Sequence, residues 1–194
     1  MITNSKRLNL GCGRNILTDW INVDIVPLAG VDVIADLDDC RKTKLPFVDN
    51  EIDEFLASHV IEHLHNTLPF MEELHRIATP YAKATFRVPF GSSDDAFEDQ
   101  THVRQYFLKS FGYFSQPFYW MADYGYRGDW LTEKIMLLVD AHVHQGKNAE
   151  QIMFEVNTFR NIVKEMIVEL RAIKPIREAK AELIVSPPIE IVLV

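Results

Sequence analysis

The sequence predicts an α/β fold built on a mostly parallel sheet, and three observations lead to that prediction. Short apolar runs bounded by Gly, Asp and Pro recur through the N-terminal half. One interval between these runs carries apolar residues at spacings of three and four, as an amphipathic helix does. The 194 residues are 47% hydrophobic and 25% charged, a balance typical of one globular domain. Strands that alternate with helices or short crossovers favour a parallel sheet with ligands at the carboxyl ends of its strands.

The N-terminal half contains five predicted strands and one predicted helix. The helix covers residues 68–79, where the apolar spacing holds until Pro80 ends it. The interval 14–20 is shorter than the ~10–12 residues of a usual crossover, so we expect at most a turn or two of helix there. The predicted strands are residues 7–10, 21–25, 31–37, 52–57 and 84–88.

The second half is predicted to hold a cap followed by long strands. Residues 104–111 favour a short helix, and the aromatic stretch that follows would cover the site. Residues 130–143 alternate as a strand, and Asn148 is placed to cap a helix whose apolar face runs from Ile152 through Phe159 to Val163. Residues 165–173 fit either a continuing helix or a strand, and we favour the strand. The tail, IEIVLV, predicts a strand that is buried or pairs with another chain in a homodimer.

Composition and charge exclude several classes of function. The net charge is -8, with 20 Lys and Arg against 28 Asp and Glu and no basic block, so we expect no nucleic-acid partner. No apolar run approaches the ~18 residues of a membrane span, so we expect no membrane partner. The N-terminal residues lack the apolar stretch of a signal peptide and there are only two cysteines, which together predict a cytoplasmic location.

A nucleotide site is indicated at the ends of the first three strands. The first strand ends in Gly11-Cys12-Gly13, and glycines there let the backbone turn tightly and approach a ligand. Asp24 ends the second strand, where a carboxylate can accept hydrogen bonds from both ribose hydroxyls. Asp36 lies near the end of the third predicted strand. A dinucleotide fits less well, because a third glycine is missing and Asp24 comes only 11 residues after Gly13.

These motifs resemble the class I S-adenosylmethionine-dependent methyltransferases, in particular small enzymes of the type-11-like family. The resemblance covers residues 7–90 and rests on LNLGCG, NVDI, IADLDD and the His-x-x-Glu-His-Leu segment. It implies a Rossmann-like, mostly parallel seven-stranded sheet whose last two strands form an antiparallel hairpin. It also implies S-adenosylmethionine as cofactor, with glycines around the methionine, Asp24 on the ribose, an acid near the adenine and the fourth strand's end beside the sulfonium. The cofactor-binding residues would be Gly11, Cys12, Gly13, Asp24, Ile25, Asp36, Leu37, Ser58 and His59.

Each of these residues also has an ordinary structural interpretation. Gly11 and Gly13 could form only a tight turn, and Asp24 and Asp36 could be solubilising acids at strand ends. Cys12 is better explained as a small buried residue than as a nucleophile. Nothing marks a second domain, so we predict one domain over residues 1–194: a cofactor-binding half in 7–90, an acceptor-side cap in 91–130, and a C-terminal hairpin and tail in 131–194.

The segment His59-Val60-Ile61-Glu62-His63 supports a rival hypothesis. It matches the His-x-x-Glu-His pattern of inverzincin metalloproteases, in which two histidines on a helix bind zinc and the glutamate activates water. The match is only five residues long and follows directly on a strand. The methyltransferase interpretation accounts for four other motifs, so we favour it and expect that no metal is required.

The acceptor side offers one candidate general base. His102 follows the fifth strand, in a segment similar to the Asp-x-x-His segment near the acceptor in some relatives, and Asp99 could orient its ring. Alternatively, Asp99 and Thr101 cap a following helix while His102 is solvated. The aromatic residues between Phe111 and Trp130 could line an apolar or saccharide pocket, or simply pack a lid.

The sequence therefore predicts methyl transfer from S-adenosylmethionine to a small molecule or saccharide, on oxygen. No Asn/Asp-Pro-Pro-aromatic segment follows the fourth strand, which disfavours nucleobases and protein amides as acceptors. The alternative is a protein of the same fold that binds the cofactor without transferring the methyl group, because a fold does not determine a function.

Overall fold

The fold is seen in a computed structural model that describes residues 5–194. The first four residues, part of the N-terminal stretch assessed above for a signal peptide, lie outside the described residues. Four α-helices are found within the described range: α1 (Thr67–Ile77), α2 (Asp95–Glu98), α3 (Ala141–His144) and α4 (Ala149–Thr158). The eight strands found there are β1 (Arg7–Leu10), β2 (Ile21–Asp24), β3 (Val33–Ile34), β4 (Ile52–Ser58), β5 (Ala78–Pro89), β6 (Trp130–Val139), β7 (Val163–Ala172) and β8 (Ile189–Leu193).

The strands form one sheet in the order β3-β2-β1-β4-β5-β7-β6-β8. The first five strands run parallel to one another, and β7 pairs antiparallel with both β5 and β6. This arrangement confirms the predicted α/β sheet with an antiparallel C-terminal hairpin. Because β1, β2 and β4 are parallel neighbours, their carboxyl ends meet at one edge of the sheet. The residues predicted to bind a nucleotide lie at that edge.

The tail adds an eighth strand to the seven that the resemblance implies. Strand β8 pairs in parallel with β6 of its own chain, from Ile135 opposite Ile189 to Val139 opposite Leu193. The tail therefore satisfies one side of its backbone within the chain, where it covers the edge that β6 would otherwise expose. The homodimer contact proposed for this segment stays a prediction.

A continuous apolar core lies against the sheet and includes α1. Trp130 at the start of β6 is fully buried, meets Phe55 of β4 edge to face at 5.9 Å, and donates its indole N–H to the Met71 carbonyl at 3.0 Å. Helix α1 contributes Phe70, Met71 and Leu74, all fully buried. The core thus fixes β4 and α1, which flank the carboxyl edge of the sheet. No helix among the described residues has the length and apolar character needed to cross a membrane.

Most predicted elements of the N-terminal half are present, with altered bounds. Residues 14–20 form turns without a helix, as the short crossover predicts. The predicted strand 31–37 is reduced to Val33–Ile34, because the Asp36 carboxylate accepts the Asp38 N–H at 2.9 Å and starts a 3-10 turn over Leu37–Asp39. Helix α1 ends at Ile77, and Thr79 already belongs to β5.

The prediction of a helix over residues 104–111 is wrong. Tyr106 lies in an extended bridge to Phe90, its carbonyl accepts the Gly91 N–H at 2.7 Å, and its ring is buried. Burying that aromatic ring against the end of β5 outweighs the local helical preference. The helical conformation begins only at Ser110, as a 3-10 helix that reaches Phe114.

The C-terminal elements follow the predicted order, with shorter bounds. Asn148 caps α4 in a reciprocal capping box with Gln151, but the helix ends at Thr158, so Phe159 is exposed. Residues from Val163 onward form β7, which confirms the strand interpretation of 165–173. The strand predicted over 130–143 stops at Val139, because Asp140 caps α3 through the His142 N–H.

Candidate functional site

A cleft of about 310 Å³ lies at the carboxyl ends of β1, β2 and β4. Its volume falls at the lower end of the range of small-ligand sites. Cys12, Gly13 and Ser58, also predicted to bind the cofactor, adjoin the cleft along the chain but do not line it. The predicted residues that line it are Gly11, Asp24, Ile25, Asp36, Leu37 and His59.

The glycine turn after β1 adopts a conformation that side chains disfavour. Gly11 and Gly13 have φ of +58° and +53°, in the left-handed region. A Cβ on Gly11 would lie 2.5 Å from Val60 Cγ2, so the turn packs directly against the loop after β4. A Cβ on Gly13 would meet nothing within 4 Å. Gly11 thus contributes its backbone to the cleft wall while its open side packs against Val60, and Gly13 continues the same left-handed turn beside the cleft.

Asp24 ties the ends of β1 and β2 together. Its Oδ2 accepts the Gly13 N–H at 2.7 Å and its Oδ1 accepts the Val26 N–H at 2.9 Å. Each carboxylate oxygen can accept a second hydrogen bond. The carboxylate is therefore held in one orientation, in the wall of the cleft, with acceptor capacity left for the two hydroxyls of a ribose. This geometry fits the ribose of the cofactor that the sequence predicts.

The β3 side of the cleft combines a polar and an apolar element. Asp36 is exposed and Leu37 beside it is buried. Ile25, just after β2, leaves 58% of its surface exposed at the cleft. The exposed side chain of Ile25 is an apolar surface against which the flat ring of a ligand could pack.

Cys12 has the environment of a packing residue. It is buried, and its N–H donates to the Val23 carbonyl at 3.0 Å. Burial and the nearby Asp24 carboxylate raise the pKa of its thiol. A thiol held in its neutral form is a poor nucleophile, which favours the packing interpretation of Cys12.

His59 is held as a cation at the end of β4. Its backbone is left-handed, with φ of +55°, and its Nε2 lies 2.9 Å from Glu165 Oε1 on β7. This hydrogen bond and the nearby Glu62 carboxylate raise the pKa of His59 to about 9. Burial alone would raise the pKa of Glu165, but hydrogen bonds to His59 and Arg87 lower it to about 2. At neutral pH His59 is therefore an imidazolium ion and cannot serve as a general base.

The HVIEH segment does not form the helical histidine pair of a metalloprotease. Only Ile61–His63 is helical, as a single 3-10 turn, and His59 precedes it in the left-handed conformation. The ring of His59 is bonded to Glu165 and that of His63 to Thr101, with Nδ1 2.9 Å from the Thr101 Oγ. The two histidines are therefore engaged by different partners.

His102 and Asp99 lie close together without a hydrogen bond between them. Their nearest atoms, His102 Nε2 and Asp99 Oδ2, are 3.9 Å apart. Asp99 Oδ1 instead accepts the backbone N–H of Thr101 at 2.8 Å and its hydroxyl at 2.6 Å. The His102 side chain is only 7% exposed and its ring lies 4.7 Å from that of His63. Asp99 is thus positioned as a loop-capping group, while His102 joins residues of the HVIEH segment.

A second cleft of about 610 Å³ adjoins the first on the side of the cap. Asp38, in the wall of the first cleft, bonds to the Asn66 N–H at 2.7 Å, and Asn66 lines the second cleft. The aromatic residues of the cap divide between two roles, because Phe111, Tyr126 and Trp130 are buried in packing. The side chains that give the second cleft its character are Tyr113, Tyr119, Tyr124, Arg41, Arg104 and Lys109.

Several features of the site were not predicted from the sequence. Glu165 comes from β7 and bonds to His59, and Arg87 comes from β5 and bonds to Glu165, which is possible only because the two strands pair with each other. The fold also brings Glu62 and His63 close to His102, which is 39 residues further along the chain than His63. The one sequence signal for this group was the HVIEH segment itself.

Comparisons with known proteins agree with the geometry. Residues 8–86 match the family model described as a methyltransferase domain, and no curated protein matches the chain. A SAM-dependent methyltransferase from Archaeoglobus fulgidus superposes with a TM-score of 0.58 at 16% identity, over 86% of each chain. Another from Aquifex aeolicus has a TM-score of 0.53 at 15% identity, over 88% of this chain and 83% of that one. At these identities the solved structures support the fold, and the matched domain covers the cleft described above.

Proposed function

We propose that the chain is a class I S-adenosylmethionine-dependent methyltransferase that methylates an oxygen of a hydroxylated small molecule or saccharide. The cofactor would lie in the cleft at the ends of β1, β2 and β4. The observation that carries this placement is the Asp24 carboxylate, fixed by the N–H groups of Gly13 and Val26 in the cleft wall. That anchor leaves lone pairs for both ribose hydroxyls.

The other cofactor contacts follow from the position of each residue around Asp24. Gly11 and Gly13 would allow the methionine portion to approach the backbone. Ile25 and Leu37 would pack against the adenine, with Asp36 accepting from its amino group. Ser58 and His59, at the end of β4, would lie beside the sulfonium.

The second cleft is the proposed acceptor site. Tyrosine rings there offer faces on which a sugar or other small ring can stack. Arg41, Arg104 and Lys109 supply N–H donors for hydroxyl or acidic groups of the acceptor. The cleft adjoins the cofactor site through Asp38 and Asn66, so an acceptor oxygen could reach the methyl group from this side.

Methyl transfer would be an in-line displacement. The cofactor would supply a methyl group that the acceptor oxygen takes as the carbon–sulfur bond breaks with its electron pair going to sulfur, and a base would take the hydroxyl proton. The protein would contribute mainly by positioning the acceptor and excluding water. We assign the base to His102, because His59 is held protonated by Glu165. The 3.9 Å gap to Asp99 makes Asp99 a candidate orienter that must first move closer.

The test is a transfer assay with S-adenosylmethionine labelled on the methyl group. A panel of hydroxylated compounds and saccharides is compared with matched amines, and label in the hydroxylated products is the expected result. His102→Ala should abolish methyl transfer while retaining binding of S-adenosylhomocysteine. Asp99→Ala should reduce the rate of methyl transfer. His142→Ala, a change at an exposed histidine on α3, should leave the rate of methyl transfer unchanged. Label found only in amines, or full turnover by His102→Ala, would contradict the proposal.

A further inference from the structure

The structure holds a buried carboxylate with no hydrogen-bond partner. Glu62 is 1% exposed, and both of its carboxylate oxygens lack a hydrogen bond to any described residue. The nearest cationic group, His59 Nδ1, lies 3.4 Å from Oε1 without hydrogen-bond geometry. A buried carboxyl group whose oxygens have no hydrogen bond is costly to maintain. A bound ligand that coordinates or donates to the two oxygens of Glu62 would remove this cost.

Two histidines complete a cluster around this carboxylate. One ligand atom from each of Glu62, His63 and His102 lies within 4.8 Å of the others. Donor atoms bound to one tetrahedral ion are roughly 3.3 Å apart, given metal–ligand distances of ~2.0–2.2 Å. Side-chain rotations that shorten the separations by up to about 1.5 Å would therefore bring the three groups into one coordination sphere.

The hydrogen bonds of the two imidazoles leave one nitrogen of each ring available. His63 Nδ1 lies 3.3 Å from the Thr101 carbonyl, and His102 Nδ1 lies 3.4 Å from the Ala96 carbonyl. A carbonyl can only accept, so each contact favours a proton on Nδ1 and a lone pair on Nε2. This is the usual arrangement of a metal-binding histidine, whose second nitrogen donates to a carbonyl or carboxylate.

We propose that Glu62, His63 and His102 bind a transition-metal dication of the zinc class. One carboxylate with two imidazoles suits ions such as Zn²⁺ and Co²⁺, whereas Mg²⁺ and Ca²⁺ prefer oxygen ligands alone. Asp99, whose Oδ2 is 3.9 Å from His102 Nε2, is within reach as a further ligand. This cluster differs from the metalloprotease pattern, because His59 is bonded to Glu165 and takes no part. The proposal departs from the expectation that no metal is required.

The location of the cluster indicates what the ion would do. His63 lines the cofactor cleft, and His102 belongs to the cap that carries the acceptor side. An ion between them would bind an acceptor hydroxyl and lower its pKa, so that its proton leaves to water before the oxygen attacks the methyl carbon. This role of the ion rests on the proposed function, and in it His102 would be a metal ligand and water would take the proton in its place. Binding of the ion itself depends neither on methyl transfer nor on the identity of the base.

The experiment is a titration of the chelator-treated full chain with Co²⁺, followed by the visible absorption of the bound ion and by competition with Zn²⁺. Wild type should bind one Co²⁺ saturably and release it to Zn²⁺ but not to equimolar Mg²⁺. Because even the loss of an outer-shell partner costs ~10–100-fold in metal affinity, Glu62→Gln and His102→Ala should each weaken binding at least tenfold. His142→Ala, which removes an exposed histidine elsewhere, should leave the affinity unchanged.

A second readout guards against a variant that binds poorly because it is misfolded. Adding Zn²⁺ should raise the Tm of the wild type, and Glu62→Gln, which should still unfold in one cooperative transition, should lose that rise. If Glu62 had only a structural role, its replacement would leave the rise in Tm on adding Zn²⁺ in place. Weak, unsaturable binding of several ions, or equal affinity in wild type and Glu62→Gln, would overturn the proposal.

The outcome is separable from that of the proposed function. Binding of S-adenosylhomocysteine is measured on the same metal-free samples. If the homocysteine ligand binds and Co²⁺ does not, only the metal site is overturned. If Co²⁺ binds to the three residues while no methyl transfer is found, the metal site stands and the acceptor assignment fails.

Discussion

The contact between Gly11 and Val60 gives a prediction whose size follows from the structure. In Gly11→Ala the new Cβ would lie 2.5 Å from Val60 Cγ2, about an ångström inside the ~3.5–4.0 Å of a favourable carbon–carbon contact. Val60 is buried, so it cannot move aside freely. Overpacking of this kind costs about 1–3 kcal/mol. The left-handed backbone adds about 1–2 kcal/mol.

Gly13→Ala is the matched control for this prediction. Its φ of +53° carries the same backbone cost, but its Cβ meets nothing within 4 Å. Urea denaturation should therefore show Gly11→Ala to be less stable than Gly13→Ala by about 1–3 kcal/mol. In a double-mutant cycle, Val60→Ala should remove most of that difference, because it deletes the methyl groups that clash. Equal destabilisation of the two glycine variants, or strict additivity with Val60→Ala, would refute the packing of the β1 turn described here.

Two further predictions concern stability. Arg177→Ala should lower the free energy of unfolding by about 3–5 kcal/mol in chemical denaturation, because it leaves the fully buried Asp129 carboxylate without its cation. Arg127→Ala, at an exposed ion pair, should have a much smaller effect on that free energy, and similar effects of the two would contradict this account. Burial lowers the pKa of His75, so the folded state takes up its proton less readily than the unfolded chain and stability should fall as the pH drops below ~6.5. His75→Gln should flatten that part of the stability profile, and an unchanged slope would show that another group is responsible.

The strands of the N-terminal half were well predicted from the sequence because their signals are local. Strands β1, β2 and β4 are apolar runs that end in the residues that line the cleft, so the order of the chain alone placed Gly11 and Asp24 at one edge. Parallel neighbours bring such ends together without further information. The short crossover after Gly13 was predicted for the same reason, since its length alone limits the structure that it can form.

The remaining features depend on contacts between distant segments. The pairing of His59 with Glu165 follows from the register of β5 against β7, which no local pattern specifies. Tyr106 lies in a segment with helical preference, yet burial of its ring against β5 keeps the backbone extended. The cluster of Glu62 with His102 likewise forms only when the cap folds onto the end of β4. Tertiary packing determined these features, and it is the part of the fold that periodicity does not encode.

The central claim, that Asp24 anchors the cofactor in the cleft at the end of β2, is tested most directly by calorimetric titration with S-adenosylhomocysteine. Wild type should bind one equivalent. Asp24→Asn should bind at least tenfold more weakly, since a hydrogen bond to a charged group contributes about 1.5–3 kcal/mol. Asp19→Asn, at an exposed turn residue outside the cleft, should bind as wild type does. Absence of binding by the folded wild type, or equal affinity in Asp24→Asn, would contradict the account.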